Sequence, residues 1–160
     1  METKQVIALI IEDCKTFEKD ILNPTFTQIK SEDKIALIFQ RLGSLIDKTF
    51  VEGTDKLPSH PEIKGILEQN PTFFDAVKFV NNTVKHNLSL TVDNRSQPFI
   101  LNSSVLNGSD VVEGDVGWSI DTNKTTSSKK QKDAYIQEFK NKDGAVITTL
   151  YRIQNILNQV

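Results

Sequence analysis

The sequence predicts a mainly α-helical protein, a helical bundle of about four to five helices with an irregular or small β-hairpin insertion at about residues 89–128. Over most of the chain, apolar residues recur at the spacing of one helix face. Proline, glycine and helix-capping residues separate these stretches. Between residues 89 and 128 the helical period gives way to Gly, Ser, Thr, Asn and Asp. A length of 160 residues fits a single domain, 1–160, that buries its own core.

Two long helices are predicted in the first third of the chain. The first runs from about Glu2 to Leu22 and is stopped by Asn23-Pro24, because the residue before proline is pushed out of the helical region. The second begins with Ser31 as N-cap and ends at about Glu52, just before Gly53. It has the cleanest helical period in the protein, carried by Ile35, Ile38, Phe39, Leu42, Leu45, Ile46 and Phe50.

A short helix and then a central helix follow. Ser59 and Glu62 have the spacing of a capping box, so the short helix opens there and ends near Gln69. The central helix takes Asn70 as N-cap and Pro71 as its first residue, where proline loses no hydrogen bond. It ends close to residue 87 or 88, and its apolar stripe consists of Phe73, Val77, Val80 and Val84.

The insertion at 89–128 has the least regular pattern. Leu88, Leu90 and Val92 alternate with polar residues, and the segments 98–101 and 111–116 have strand character, so a small β-hairpin is expected. A compact domain rarely keeps about 40 structureless residues, which also favours local structure here. Trp118 is expected to anchor the insertion to the helical core.

The last segment is predicted to be one helix from about Ser128 to Asn158. Its apolar period continues across Asp143-Gly144, which favours a helix kinked at that point. The alternative is a hairpin turn at Asp143-Gly144, because β-branched residues follow the dipeptide.

Charge and cysteine content limit the classes of function. A formal net charge of -2 gives no general attraction to nucleic acid or to an anionic membrane, so any such affinity has to be local. Cys14 is the single cysteine, which fits a reducing cytosol. His60 and His86 lie far apart in sequence, and no metal or cofactor motif is present. No apolar run is long enough to cross a bilayer.

The first candidate site is the polar cluster Asn81, Asn82 and His86 near the end of the central helix. Asn82 and His86 are four residues apart, so they share a helix face and could place an amide and an imidazole around a phosphate or a base. A plain helix C-terminus explains the same residues, because a histidine suits the negative end of the helix dipole.

With this cluster at the end of a long helix, the chain resembles the HEPN superfamily (higher eukaryotes and prokaryotes nucleotide-binding domain). The resemblance implies a helical bundle, commonly dimeric, and for many members a metal-independent ribonuclease with an Arg, a polar residue and a His. Asn81 stands where the family has Arg, while Asn82 and His86 match the polar residue and the His. An amide cannot replace the positive charge that would stabilise a phosphate, so the resemblance implies a non-catalytic or impaired member.

The second candidate is a set of lysines around the start of the last helix. Lys129, Lys130 and Lys132, together with Lys85 at the end of the central helix, could contact phosphates. Tyr135 could stack on a base. The pattern favours the simpler explanation, a solvated helix N-terminus whose charge is diluted by Asp121, Asp133, Glu138 and Asp143.

The sequence therefore predicts a non-catalytic helical interaction domain of a bacterial cytosolic protein. Its expected partners are a second copy of the chain, in a homodimer, and an RNA or a partner protein, with no membrane association. The alternative is a HEPN-like endoribonuclease that uses His86, helped by Asn82 and Asn81.

Overall fold

A computed structural model describes residues 3–21, 28–55, 61–86, 90–94, 116–124, 127–142 and 144–160. Within these ranges the chain forms six α-helices and a two-stranded antiparallel sheet. The helices are α1 (Thr3–Ile21), α2 (Gln28–Asp55), α3 (Pro61–Gln69), α4 (Pro71–Lys85), α5 (Lys129–Glu138) and α6 (Val146–Leu157), and the strands are β1 (Leu90–Asn94) and β2 (Val116–Ile120). The mainly helical fold with a small hairpin is confirmed.

The bounds of α1 agree with the prediction, whereas those of α2 do not. Helix α2 begins at Gln28, three residues before the expected N-cap Ser31, and it continues through Gly53 to Asp55. Gln28 and Lys30 are good helix formers, so the helix has no need to begin at a capping serine. A single glycine costs a helix only about 1 kcal/mol and does not by itself end one.

The junction between α3 and α4 lies at Asn70, as predicted, but the capping chemistry differs. Asn70 occupies the N-cap position of α4, yet its side chain accepts no hydrogen bond from the α4 amides. Its amide nitrogen instead donates to the Ile66 carbonyl at 2.9 Å and to Gln159 Oε1 at 3.3 Å. Asn70 therefore satisfies the end of α3 and contacts the C-terminus of the chain.

Helix α5 packs antiparallel along α4. Asn82 meets Ser127 at one end of the pair, and Phe73 meets Phe139 at the other, with ring centroids 5.9 Å apart. One hydrophobic core joins these helices to α1, α2, α3, α6 and the sheet. Its largest fully buried side chains include Phe17, Phe39, Phe73, Phe79 and Tyr135.

Trp118 anchors the sheet to the helical core, as the sequence predicted. It pairs with Val92 in the antiparallel register of β1 and β2 and is only 4% exposed. Its ring lies 5.3 Å from that of Phe39 and 5.4 Å from that of Phe139. Its indole nitrogen donates to Thr149 Oγ1 at 2.8 Å, so β2 is bonded directly to α6.

The predicted single helix over 128–158 is wrong, and so is the hairpin alternative. Ser128 does cap α5, accepting from the Gln131 amide at 3.3 Å, but α5 ends at Glu138 and a 3₁₀ turn spans Lys140–Lys142. Gly144 has a φ of +60°, a left-handed conformation that suits glycine, and its carbonyl accepts from the Trp118 amide at 2.8 Å. This hydrogen bond thus holds Gly144 beside β2, and the chain changes direction there before α6 begins.

Several predicted features fall outside the described residues: the stop at 23–24, the capping serine 59, and the strand segments 98–101 and 111–115. The central helix ends at Lys85, with His86 as its C-cap, two to three residues before the predicted end. Among the helices that the structure describes, none is long and apolar enough to span a membrane.

Candidate functional sites

The predicted polar cluster lies at the C-terminal end of α4, where α2, α4 and the start of α5 meet. Asn81 and Asn82 are half-buried, and His86 is exposed. The three residues do not have the same environment, because each faces a different part of the structure.

Asn81 lies against the backbone of α2. A Cβ built on Gly43 would lie 2.2 Å from Asn81 Nδ2 and 2.4 Å from its Cγ. Real Cβ atoms essentially never come so close, so a larger residue at position 43 would require the Asn81 side chain to move. Asn81, the residue at the position of the HEPN arginine, is thus a helix-packing residue.

Asn82 bonds to the segment that leads into α5. Its amide nitrogen donates to the Ser127 hydroxyl at 2.8 Å, across 45 residues of sequence. The contact holds the end of α4 beside the beginning of α5.

His86 is the C-cap residue of α4. Its backbone N–H donates to the Asn82 carbonyl at 3.1 Å, and its side chain is exposed. This position fits the simpler explanation of the cluster, a plain helix C-terminus.

Four lysines lie close in sequence to the Asn82–Ser127 contact, and we call them the basic edge: Lys85, three residues after Asn82, and Lys129, Lys130 and Lys132, two to five residues after Ser127. All are exposed except Lys132, which is half-buried. Lys130 Nζ lies 3.5 Å from Asp75 Oδ2, but its side chain is 81% exposed and the pair is correspondingly weak. Among the described residues, Lys85, Lys129 and Lys132 form no ion pair.

The predicted stacking of Tyr135 on a base is wrong. Tyr135 is 1% exposed, and its ring stacks on Phe79 with centroids 5.0 Å apart. Its hydroxyl accepts a hydrogen bond from the Ile120 amide at 3.0 Å, which ties β2 to α5. Burial raises the pKa of this tyrosine, an effect that the Ile120 hydrogen bond partly offsets.

A second site, which the sequence did not suggest, is a cleft of about 260 Å³ between the end of α5 and α6. Inside it, Arg152 Nη2 lies 3.3 Å from Glu138 Oε2, and the Glu138 side chain is only 8% exposed. The Arg152 guanidinium lies over the Phe73 ring, 5.6 Å from the centroid. Among the described residues its buried Nε has no hydrogen-bond partner, which costs about 1–3 kcal/mol. The residues that line the cleft include Glu138, Phe139, Thr148, Tyr151, Arg152 and Asn155.

The break at Gly144 explains why the sequence did not reveal this pair. In one continuous helix, Glu138 and Arg152 would be about 21 Å apart along the axis, at ~1.5 Å per residue. Gly144 turns the chain, and the two side chains meet. The signal in the sequence was the Asp143-Gly144 dipeptide, whose effect on the path of the chain could not be predicted from the helical period.

Cys14 is a core residue. It is fully buried, and burial, with a smaller contribution from the Glu18 charge, raises the pKa of its thiol from 9.0 to about 12. Such a thiol is a poor nucleophile at neutral pH. In the described part of the chain, no group of three or more His, Cys, Asp or Glu side chains is placed to hold a metal ion.

Comparison of the chain with protein-family models, with curated proteins and with solved structures finds no significant match. The functional argument therefore rests on the geometry of these two sites.

Proposed function

We propose that this chain is a non-catalytic helical interaction domain that binds single-stranded RNA through the basic edge. The observation that carries the proposal is the placement of three cations, Lys85, Lys129 and Lys132, without ion-pair partners among the described residues, around one helix junction. In a protein with a formal net charge of -2, such a junction is a local site for phosphates.

The first turn of α5 supports this proposal on energetic grounds. It contains no acidic residue, and Lys129 and Lys130 stand at the positive end of the helix dipole. Each cation there is unfavourable by roughly 0.3–1 kcal/mol at low ionic strength. A bound phosphate would reverse the sign of that interaction, because it satisfies both the lysines and the free amides of the helix end.

Two contacts support a non-catalytic rather than a catalytic role for the polar cluster. Asn81 packs on Gly43, and Asn82 donates to Ser127. Both amides are thus engaged in contacts within the fold, and neither brings the fixed positive charge that phosphoryl chemistry needs. The HEPN resemblance, the homodimer and the cytosolic setting stay predictions.

Cleavage and binding of a mixed single-stranded RNA pool test the proposal, with the wild type compared with His86→Ala. We expect salt-dependent binding by both proteins and cleavage by neither. Cleavage that disappears in His86→Ala would establish the ribonuclease alternative instead. Absence of both binding and cleavage would overturn the RNA proposal and direct attention to protein partners.

A further inference from the structure

The cleft between α5 and α6 is lined by both members of an ion pair, Glu138 and Arg152. The Glu138 carboxylate is nearly buried, whereas the Arg152 side chain is 34% exposed. Thr148 and Asn155 are exposed on the same face of α6, four residues before and three residues after Arg152. The cleft thus presents both signs of charge together with a hydroxyl and an amide.

The pair restricts the charge of any ligand that enters. An anion would compete with Glu138 for the guanidinium and leave a nearly buried carboxylate unpaired, which is strongly unfavourable. A cation would compete with Arg152 for the Glu138 carboxylate and leave the guanidinium unpaired. A zwitterion avoids both costs, since its carboxylate pairs with Arg152 while its ammonium pairs with Glu138.

We propose that this cleft binds a small zwitterion of the α-amino acid class, with the ligand carboxylate on Arg152 and its ammonium on Glu138. In an α-amino acid the two charged groups are attached to the same carbon, so the molecule can lie antiparallel beside the pair. The buried Nε of Arg152 has no hydrogen-bond partner among the described residues. The Arg152 side chain is 34% exposed, so a ligand carboxylate can reach the guanidinium from the cleft.

Size and wall chemistry suit an amino acid with an apolar side chain. A volume of about 260 Å³ corresponds to roughly eight or nine waters at ~30 Å³ each, which matches a ligand of similar heavy-atom number. Phe139 is buried at the cleft, and Tyr151, 55% exposed, stands beside it. These rings provide an apolar wall for a side chain such as that of leucine.

Isothermal titration calorimetry of the full chain tests this assignment with three probes: L-leucine, isoamylamine, which lacks its carboxylate, and isocaproate, which lacks its ammonium. We expect leucine to bind and each analogue to bind roughly tenfold more weakly or less, because each loses a charge-assisted hydrogen bond. The proposal is contradicted if leucine does not bind, or if either analogue binds as tightly as leucine does.

Variants then locate the site. Glu138→Gln should weaken leucine binding and strengthen isocaproate binding, because it frees the guanidinium for an anion. Glu68→Gln, which removes one charge from an exposed pair with Lys64 on α3, is the matched control and should change neither. Leucine binding that is unaffected by Glu138→Gln would overturn the proposal. If Glu138→Gln does not fold, Tyr151→Ala provides the test. Truncation of this exposed ring should weaken leucine binding, and an unchanged affinity would contradict the proposed site.

Discussion

The Asn81 side chain of α4 lies so close to Gly43 of α2 that a Cβ on Gly43 would come within 2.2 Å of Asn81 Nδ2. The sequence allows the Asn81 amide to be assigned to a phosphate site. In the structure this side chain instead packs where α4 crosses α2. The glycine is required here for close approach of another side chain.

A double-mutant cycle tests this contact. Gly43→Ala should lower the free energy of unfolding by about 1–3 kcal/mol in the wild type, because the added methyl group overpacks the crossing. In the Asn81→Ala background, the same change should raise it by up to ~1 kcal/mol, the helix propensity gained over glycine. Urea unfolding measures all four proteins. An equal effect of Gly43→Ala in both backgrounds would show that the two residues do not interact.

The hydrogen bond from the Trp118 indole to Thr149 gives a second prediction. Thr149→Val keeps the shape but leaves the buried indole N–H unsatisfied, at a cost of about 1–3 kcal/mol. Thr149→Ser, which keeps the hydroxyl, is the control and should lose less stability. Trp118 is the single tryptophan, so its indole N–H resonance reports on this bond directly. A resonance that does not move in Thr149→Val would show that the bond is absent.

A third prediction concerns the turn between α5 and α6. Gly144→Ala should destabilise the fold by roughly 1–2 kcal/mol, the cost of a left-handed conformation for an alanine. The added Cβ would also lie 3.0 Å from the Trp118 carbonyl oxygen. Gly65 of α3 is the matched control, because a Cβ there meets nothing within 4 Å. Gly65→Ala should stabilise by roughly 0.5–1 kcal/mol, and equal effects at the two glycines would contradict the turn geometry.

The raised pKa of the Cys14 thiol predicts how the free energy of unfolding depends on pH in the alkaline range. The folded thiol keeps its proton up to a pKa of about 12, whereas the unfolded chain loses it near 9.0, so the folded state binds more protons between these values. Stability should therefore fall as the pH rises from about 9 to about 12, by up to ~1.4 kcal/mol per pH unit from this group. Chemical unfolding at several pH values should give a shallower slope for Cys14→Ala than for the wild type. Parallel slopes would contradict the raised pKa of this thiol.

Local patterns in the sequence were sufficient for much of the fold. The apolar period located α1 to α4, and proline at position 71 marked the start of α4. The large apolar surface of Trp118 indicated that it anchors the insertion, and it packs on Phe39 and Phe139. These features depend on neighbours in sequence or on the size of one side chain.

Features that depend on contacts between distant residues could not be predicted in the same way. The backbone bond from Trp118 to Gly144 ends a helical pattern that the sequence continues. Only that turn brings Glu138 to Arg152. The environment of Tyr135 was likewise hidden, because its place beside Phe79 follows from the antiparallel packing of α4 and α5.

Two triple variants with the same change in charge separate the basic edge from general electrostatics. The basic-edge variant replaces three lysines by glutamine: Lys85, Lys129 and Lys132. The α1 variant replaces three exposed lysines on a helix that contacts α2 and α6: Lys4, Lys15 and Lys19.

The most direct test of the central claim is the salt dependence of RNA binding, measured by fluorescence anisotropy of a labelled single-stranded RNA between about 50 and about 200 mM salt. If the basic edge contacts phosphates, the logarithmic salt slope of the basic-edge variant should be shallower than that of the wild type by about 2, at ~0.7 for each of three contacts. The α1 variant should keep the wild-type slope. The same slope for all three proteins, or the same loss in both variants, would contradict a binding surface at the junction of α4 and α5.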